Sequence, residues 1–212
     1  NYEIQFFATS VKTSIELWPV GIYASFVRIA EQMVVSGPNL GMPYTKALGD
    51  GLFEIRARGS EGIGRAFFCC IKGRRVVVLH GFIKKSQTTP TKELRLAKER
   101  MKKDSMTNPS REKFKPVAFN PKQTAAQRRA SDPVFQRAYD ALEDEFSALA
   151  ELLKARKEAG LTQADVAQRM GVSQPVLARI ESSLGNLNHA PSLSTLRRYA
   201  QACGKRLVIR MV

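Results

Sequence analysis

The stretch "LTQADVAQRMGVSQPVLARIES", residues 161–182, predicts two short helices that meet at a corner. Thr162 and Asp165 form a capping box for the first helix, because hydroxyl and carboxylate at this spacing satisfy each other's backbone amides. Gly171 supplies the turn and Ser173 caps the second helix. Val166, Ala167 and Met170 face inward from the first helix, Leu177 and Ile180 from the second, and Val172 plugs the corner. The small side chain of Ala167 lets the two helices cross closely. This is the packing logic of a helix-turn-helix, whose second helix enters the DNA major groove.

The charge of the whole chain agrees with a polyphosphate partner. Lys and Arg number 34 against 19 acids in 212 residues, a net charge of +15 and a pI near 10.1. Such an excess attracts nucleic acid or an acidic surface; the plainer alternative is a solvated basic surface kept for solubility. The length allows one or two domains. Three cysteines, Cys69, Cys70 and Cys203, spell neither a disulfide framework nor a zinc knuckle, so a reducing, cytoplasmic setting without a metal is expected. No apolar run approaches the roughly 20 residues of a spanning helix, so no membrane role is expected. No glycine loop cradles a phosphate, "GSEGIG" reads as a hairpin turn, and no cofactor is expected.

Toward the N-terminus from the corner, residues 132–151 hold six acids and one base. Asp132 as cap, Pro133 at the first helical position and the series Phe135, Tyr139, Leu142, Phe146, Leu149, Leu152 and Leu153 predict one long helix that Gly160 would stop. Before it, residues 105–131 hold three prolines and six basic residues against one acid, a composition that reads as a basic linker or arm, in which Phe114, Val117 and Phe119 are candidates to dock on another surface. Met106 and the change of pattern around it mark a candidate junction between two joined open reading frames. After the corner, "KRLVIRMV" alternates as a strand too short to stand unpaired.

Residues 1–104 read differently. Residues 2–7 suggest a strand, and 21–35 a helix with Ile22, Phe26, Ile29 and Met33 on one stripe. The runs 52–59, 65–72 and 75–83 follow at hairpin spacing as an antiparallel meander. A helix opens after Pro90 with Leu94, Ala97 and Met101 on one side. Alternation places Arg56 and Arg58 on one strand face with Glu54, while Arg65 opens the next strand and Lys84 and Lys85 end the last.

Residues 132–212, with the corner and "PSLSTLRRYAQACGKRLVIRMV", resemble the Cro/repressor (Xre) family, in particular HigA-type antitoxins. The resemblance implies an all-α, lambda-repressor-like domain with its helix-turn-helix at 161–182. By it Gln163 contacts phosphate, Ser173 opens the second helix, and Gln174, Pro175, Ala178 and Arg179 face the groove; Gln pairs with adenine and Arg with guanine. It also implies a homodimer on operator DNA. The loop "SSLGNLNHAP" is longer than the usual turn of that family. "GLFEIRARG", "GRAFFCC", "VVVLHGFIKKSQTTP" and "KELRLAKERM", in that order, resemble the RelE/HigB superfamily of mRNA-cleaving toxins, in its phage-derived branch. That resemblance covers residues 1–104 and implies an α+β fold, an antiparallel sheet with flanking helices whose concave face binds mRNA on the ribosome.

Cleaving RNA without a metal requires a deprotonated 2′-hydroxyl, a neutralised phosphorane and a protonated leaving oxygen, which preorganised cations can supply. By the resemblance Arg65 is the transition-state clamp, Lys84 or Lys85 the base or acid, and Arg56 a phosphate holder. His80 is a proton carrier or else a satisfied core residue. Arg58, Lys98 and Lys102 are expected to hold RNA, the last two as part of a solvated helix face. The order of toxin then antitoxin is that of HigBA pairs, here in one chain. Asp140, Glu143, Asp144 and Glu145 are the electrostatic complement expected to neutralise the basic half, by masking or by bulk. The competing expectation is a DNA-binding regulator whose basic α+β half is a non-catalytic sensor or protein-binding domain.

Overall fold

The computed structural model describes residues 1–72, 74–85, 90–105, 116–184 and 190–209. The chain gathers into two compact units: Asn1–Asn39 with Tyr44–Ala141, and Leu40–Pro43 with Leu142–Val212. The division falls after Ala141 rather than at either end of the expected linker. The first unit holds β1 (Glu3–Phe6), α1 (Thr9–Glu16), α2 (Val20–Ser36), β2 (Thr45–Gly49), β3 (Leu52–Gly59), β4 (Gly62–Ile71), β5 (Arg75–Ile83), α3 (Thr91–Ser105), β6 (Val117–Phe119), α4 (Pro121–Ser131) and α5 (Pro133–Asp140).

The expected meander is present as β3, β4 and β5, each antiparallel to the next. The sheet as a whole is mixed rather than antiparallel. Its strand order is β2-β3-β4-β5-β1-β6, and β1 runs parallel to β5, with Glu3 opposite Arg75 and Phe6 opposite Val78. Two helices and three strands separate these partners in the chain, and a parallel pair formed over such a distance leaves no hairpin signature in the sequence.

The helices α1 and α2 cover one face of the sheet. Ile22, Phe26, Ile29 and Met33 of α2 are fully buried there, as the stripe predicts. Two glycines let the helices come this close. A Cβ on Gly81 would lie 2.5 Å from Ile15 Cγ1 and 2.9 Å from Trp18 Cζ2, and one on Gly64 would lie 2.7 Å from both Ile22 Cγ2 and Trp18 Cζ3.

The end of the segment expected as a linker is structured and belongs to the first unit. Strand β6 pairs antiparallel with β1, with Gln5 opposite Ala118. Phe119 packs 5.0 Å from Phe6 and 5.9 Å from Phe26. Asn120 caps α4 and Asp132 caps α5, each followed by proline at the helix start. Phe135 rests 5.8 Å from Tyr23. The Arg28 guanidinium lies 3.6 Å above the Tyr139 ring and donates to the Tyr139 carbonyl, while the Tyr139 hydroxyl donates to Glu31 at 2.6 Å. Met106 and Phe114 lie outside the described residues.

Residues 132–158 form two helices instead of the single one expected, because their apolar side chains serve separate cores. Phe135 and Tyr139 are buried from α5, and Phe146, Leu149 and Leu153 from α6 (Glu143–Glu158), which opens the second unit. There follow α7 (Gln163–Arg169), α8 (Gln174–Ser182) and α9 (Leu193–Ala202). The capping box of Thr162 and Asp165 is formed. Val166, Ala167, Met170, Leu177, Tyr199 and Cys203 build the core, with Val172 and Ile180 packed against it. Residues 205–209 carry no strand, against expectation, and Val208 and Ile209 are exposed. Among the described residues no helix is long and apolar enough to cross a membrane.

A buried carboxylate ties the second unit together. Glu181 is 0 % exposed. It accepts from the Tyr199 hydroxyl at 2.8 Å and from the Gln163 amide, and Arg156 Nε lies 3.9 Å away. Burial pushes this carboxyl above the usual glutamate range against the opposing pull of Arg156, Tyr199 and Gln163.

Two predictions test this packing. Gly81→Ala overpacks the contact with Ile15 and Trp18 and costs about 1–3 kcal/mol in chemical denaturation; an unchanged midpoint contradicts the contact. Glu181 has its folded pKa raised, so the stability it confers is present in acid and is lost as pH rises through the raised value. Measured by denaturation between about pH 4 and about pH 8, the stability of Glu181→Gln relative to wild type therefore improves with pH, and a constant difference contradicts the buried carboxylate.

Candidate functional site

Alternation in β3, β4 and β5 turns Ile55, Ala57, Gly64 and Gly81 toward α1 and α2, which leaves their neighbours on the opposite face. The register aligns these neighbours in cross-strand rows. Glu54 stands opposite Phe67 and Phe67 opposite His80, while Arg56 stands opposite Arg65 and Arg65 opposite Phe82. In the last row Arg58 is opposite Ile63, whose carbonyl accepts from the Lys84 amide at 2.8 Å. The sheet thus brings Arg56, Arg58, Arg65, His80 and Lys84 onto one face. Lys85 follows, exposed, past the strand end.

Glu54 is the centre of charge in this grid. Its Oε1 lies 3.5 Å from Arg56 Nε and its Oε2 lies 3.7 Å from Arg65 Nε. One carboxylate thus serves two guanidiniums, with Arg58 on the same face of β3. Arg65 is only 2 % exposed. Burial first, then Arg56 beside it, pulls its guanidinium down to about 10, with Glu54 opposing, so it remains a cation at neutral pH. An incoming anion meets the half-buried Arg56 and the exposed Arg58 before it meets Arg65.

The helix α3 reaches the first row through His80. Glu93 Oε2 pairs with His80 Nε2, and Arg100 Nη1 lies 3.4 Å from His80 Nδ1 while donating to the Leu79 carbonyl at 2.8 Å. Arginine only donates, so Nδ1 accepts and the ring hydrogen on Nε2 is given to Glu93. Both ring nitrogens of His80 are engaged. Sequence alone offered Glu54 only as a strand neighbour and Arg100 only as part of a solvated helix face or RNA anchor, and nothing marked Glu93; the docking of α3 brings Glu93 and Arg100 onto His80 and Leu79. Lys98 and Lys102 lie on the exposed side of that helix, Lys98 3.7 Å from Asp50.

The acids expected to neutralise this face have local partners. Asp140 pairs with Arg129 of α4 at 2.8 Å. Glu143, Asp144 and Glu145 form the first turn of α6, where carboxylates offset the helix dipole, and Glu143 accepts from Ser147 at 2.9 Å.

In the second unit Ser173, Gln174, Pro175 and Arg179 are exposed at and after the start of α8, and Ala178 is partly buried. Ser173 stands at the cap position without a side-chain cap bond. Gln163 stands at the first position of α7. It is 5 % exposed, donates to Glu181 and to the Met42 carbonyl, the latter at 3.2 Å, and accepts from Gln174 at 3.4 Å. Among the described residues no group of three or more His, Cys, Asp or Glu is placed to hold a metal ion.

Comparison with known proteins matches two separate stretches of the chain. Residues 14–102 match the family described as phage-derived protein Gp49-like, and residues 152–209 match a helix-turn-helix family. The chain is also similar to the protein named antitoxin HigA1 from two strains of Mycobacterium tuberculosis, CDC 1551 / Oshkosh and ATCC 25618 / H37Rv. Each is 38 % identical over 82 residues, which is 39 % of this chain and 52 % of the relative. The chain spans about half the length of the curated relatives it matches, and the segment with an N-terminal Gp49-like match is joined here to one with a helix-turn-helix match.

Proposed function

We propose that the chain joins a toxin and its inhibitor: a ribosome-dependent, metal-independent mRNA endoribonuclease of RelE/HigB type, and a HigA-type helix-turn-helix antitoxin that binds operator DNA as a dimer. The observation that supports the first half is the set of Arg56, Arg58, Arg65 and Lys84 on one sheet face, with Glu54 between Arg56 and Arg65. Several cations gathered on one face suit a phosphodiester whose negative charge grows in the transition state.

In this reading the 2′-oxygen attacks phosphorus while the bond to the 5′-oxygen breaks. The proton leaves the 2′-hydroxyl and a proton reaches the 5′-oxygen. Arg65 and Arg56 hold the non-bridging oxygens, and Glu54 holds the two guanidiniums in register. Lys84 and Lys85 are the candidate proton carriers, since His80 has both ring nitrogens occupied by Glu93 and Arg100. Arg58, Lys98 and Lys102 would guide RNA.

Inhibition by bulk fits the first unit better than masking by acids. β6 sits on β1, and α4 and α5 pack against α2 through Phe135 and Tyr139, on the side of the sheet away from the cationic grid. A tethered inhibitor acts at roughly millimolar effective concentration. A second reading, a DNA-binding regulator with a non-catalytic basic module, is favoured by one observation, the burial of Arg65 against Glu54.

Residues 1–105 and 106–212 made as separate polypeptides distinguish the two. Added to a purified translation system with a defined mRNA, the first polypeptide produces ribosome-dependent cuts that the second suppresses. Arg56→Ala and Arg65→Ala each reduce cutting about 100-fold or more with unchanged circular dichroism. A folded 1–105 that cuts nothing leaves the regulator reading.

A further inference from the structure

Gln163 stands at the first position of α7, where the helix-turn-helix reading requires a side-chain amide facing a phosphate, yet it is almost fully buried. What covers it is the short segment Leu40–Pro43, which belongs to the second compact unit although it lies far from that unit in sequence. Leu40 is 1 % exposed. Its carbonyl accepts from Arg156 Nη2 at 3.2 Å, and the Met42 carbonyl accepts from Gln163 Nε2 at 3.2 Å. Between them Gly41 has φ +85°, and a Cβ there would stand 3.0 to 3.1 Å from the Oε1, Cδ and Nε2 atoms of Gln163. Backbone thus lies directly on the amide, in a seat that favours glycine twice, by conformation and by space.

We infer that the surface formed by Arg156, Gln163 and Gln174 takes Leu40–Pro43 and operator DNA in exclusion of one another. The carbonyl oxygen of Met42 occupies the Gln163 donor that a phosphate oxygen would need, while Gln174 gives one amide hydrogen to Gln163. DNA binding therefore requires the segment to leave. The apparent affinity is the intrinsic one reduced by the fraction of uncovered molecules, so a covered form in tenfold excess weakens binding about tenfold. The inference rests on the DNA-binding reading of the second unit and adds a regulator to it, a segment of this chain's own N-terminal half.

The test uses the full chain and labelled duplexes of about 20 base pairs, enriched from a random-sequence library on immobilised wild-type protein. Anisotropy titrations at one low salt concentration compare wild type with Gly41→Val, which strains and crowds the seat, and with Leu40→Asp, which cannot stay buried. Both variants are expected to bind about tenfold tighter than wild type, and Gln174→Ala added to either is expected to lose the binding. Equal affinity of wild type and both variants, with unchanged melting, overturns the inference and leaves the DNA reading intact. Absence of binding by all three overturns both.

Discussion

The contact of Ile15, Trp18 and Ile22 with Gly64 and Gly81 is the constraint from which the rest of the first unit follows. It commits one face of β4 and β5 to the helices at distances that no larger side chain permits. Strand side chains alternate, so the choice of core face for the glycines is also the choice of the opposite face for Arg65, Phe67, His80 and Phe82. A slip of one residue would drive the guanidiniums into Trp18. The cationic grid is thus a consequence of helix packing on its reverse side.

On that grid the cost of holding like charges together is offset by Glu54, which serves Arg56 and Arg65 with one oxygen each. Without Glu54 the buried Arg65 would lose that carboxylate, a costly change. His80 and Glu93 form a separate pair that anchors α3 at the edge of the site.

Local periodicity made much of this legible. The α2 stripe, the three hairpin-spaced strands, the capping box and the corner of the helix-turn-helix all depend on residues within a few turns of one another, and their side chains occupy the expected sides. Long-range pairing did not show itself. The parallel partnership of β1 with β5 and the capture of β6 by β1 depend on edges that no local pattern encodes. Residues 116–131 read as a linker with Val117 and Phe119 as docking candidates; Phe119 does dock, against Phe6 and Phe26, but the strand and helix formed there were not readable from a polar composition. The acids of 140–145 suggested an electrostatic mask; within the first unit α5 docks by aromatic contact with Tyr23 and Arg28, and Asp140 pairs with Arg129. Of the candidate site, the cations were readable from alternation, and their counter-ion arrangement required the register.

On the proposed reading, β6 as the edge strand beside β1, and α4 and α5 packed on α2, leave the cations on the other face of the first unit open to a small RNA. Titrating a short, labelled single-stranded RNA at fixed low salt onto the full chain and onto residues 1–105 measures that access. The account predicts equal affinities, both weakened by Arg56→Ala. A full chain that binds the RNA more than about tenfold more weakly than residues 1–105 would mean that the inhibitor covers the cations, and would contradict it.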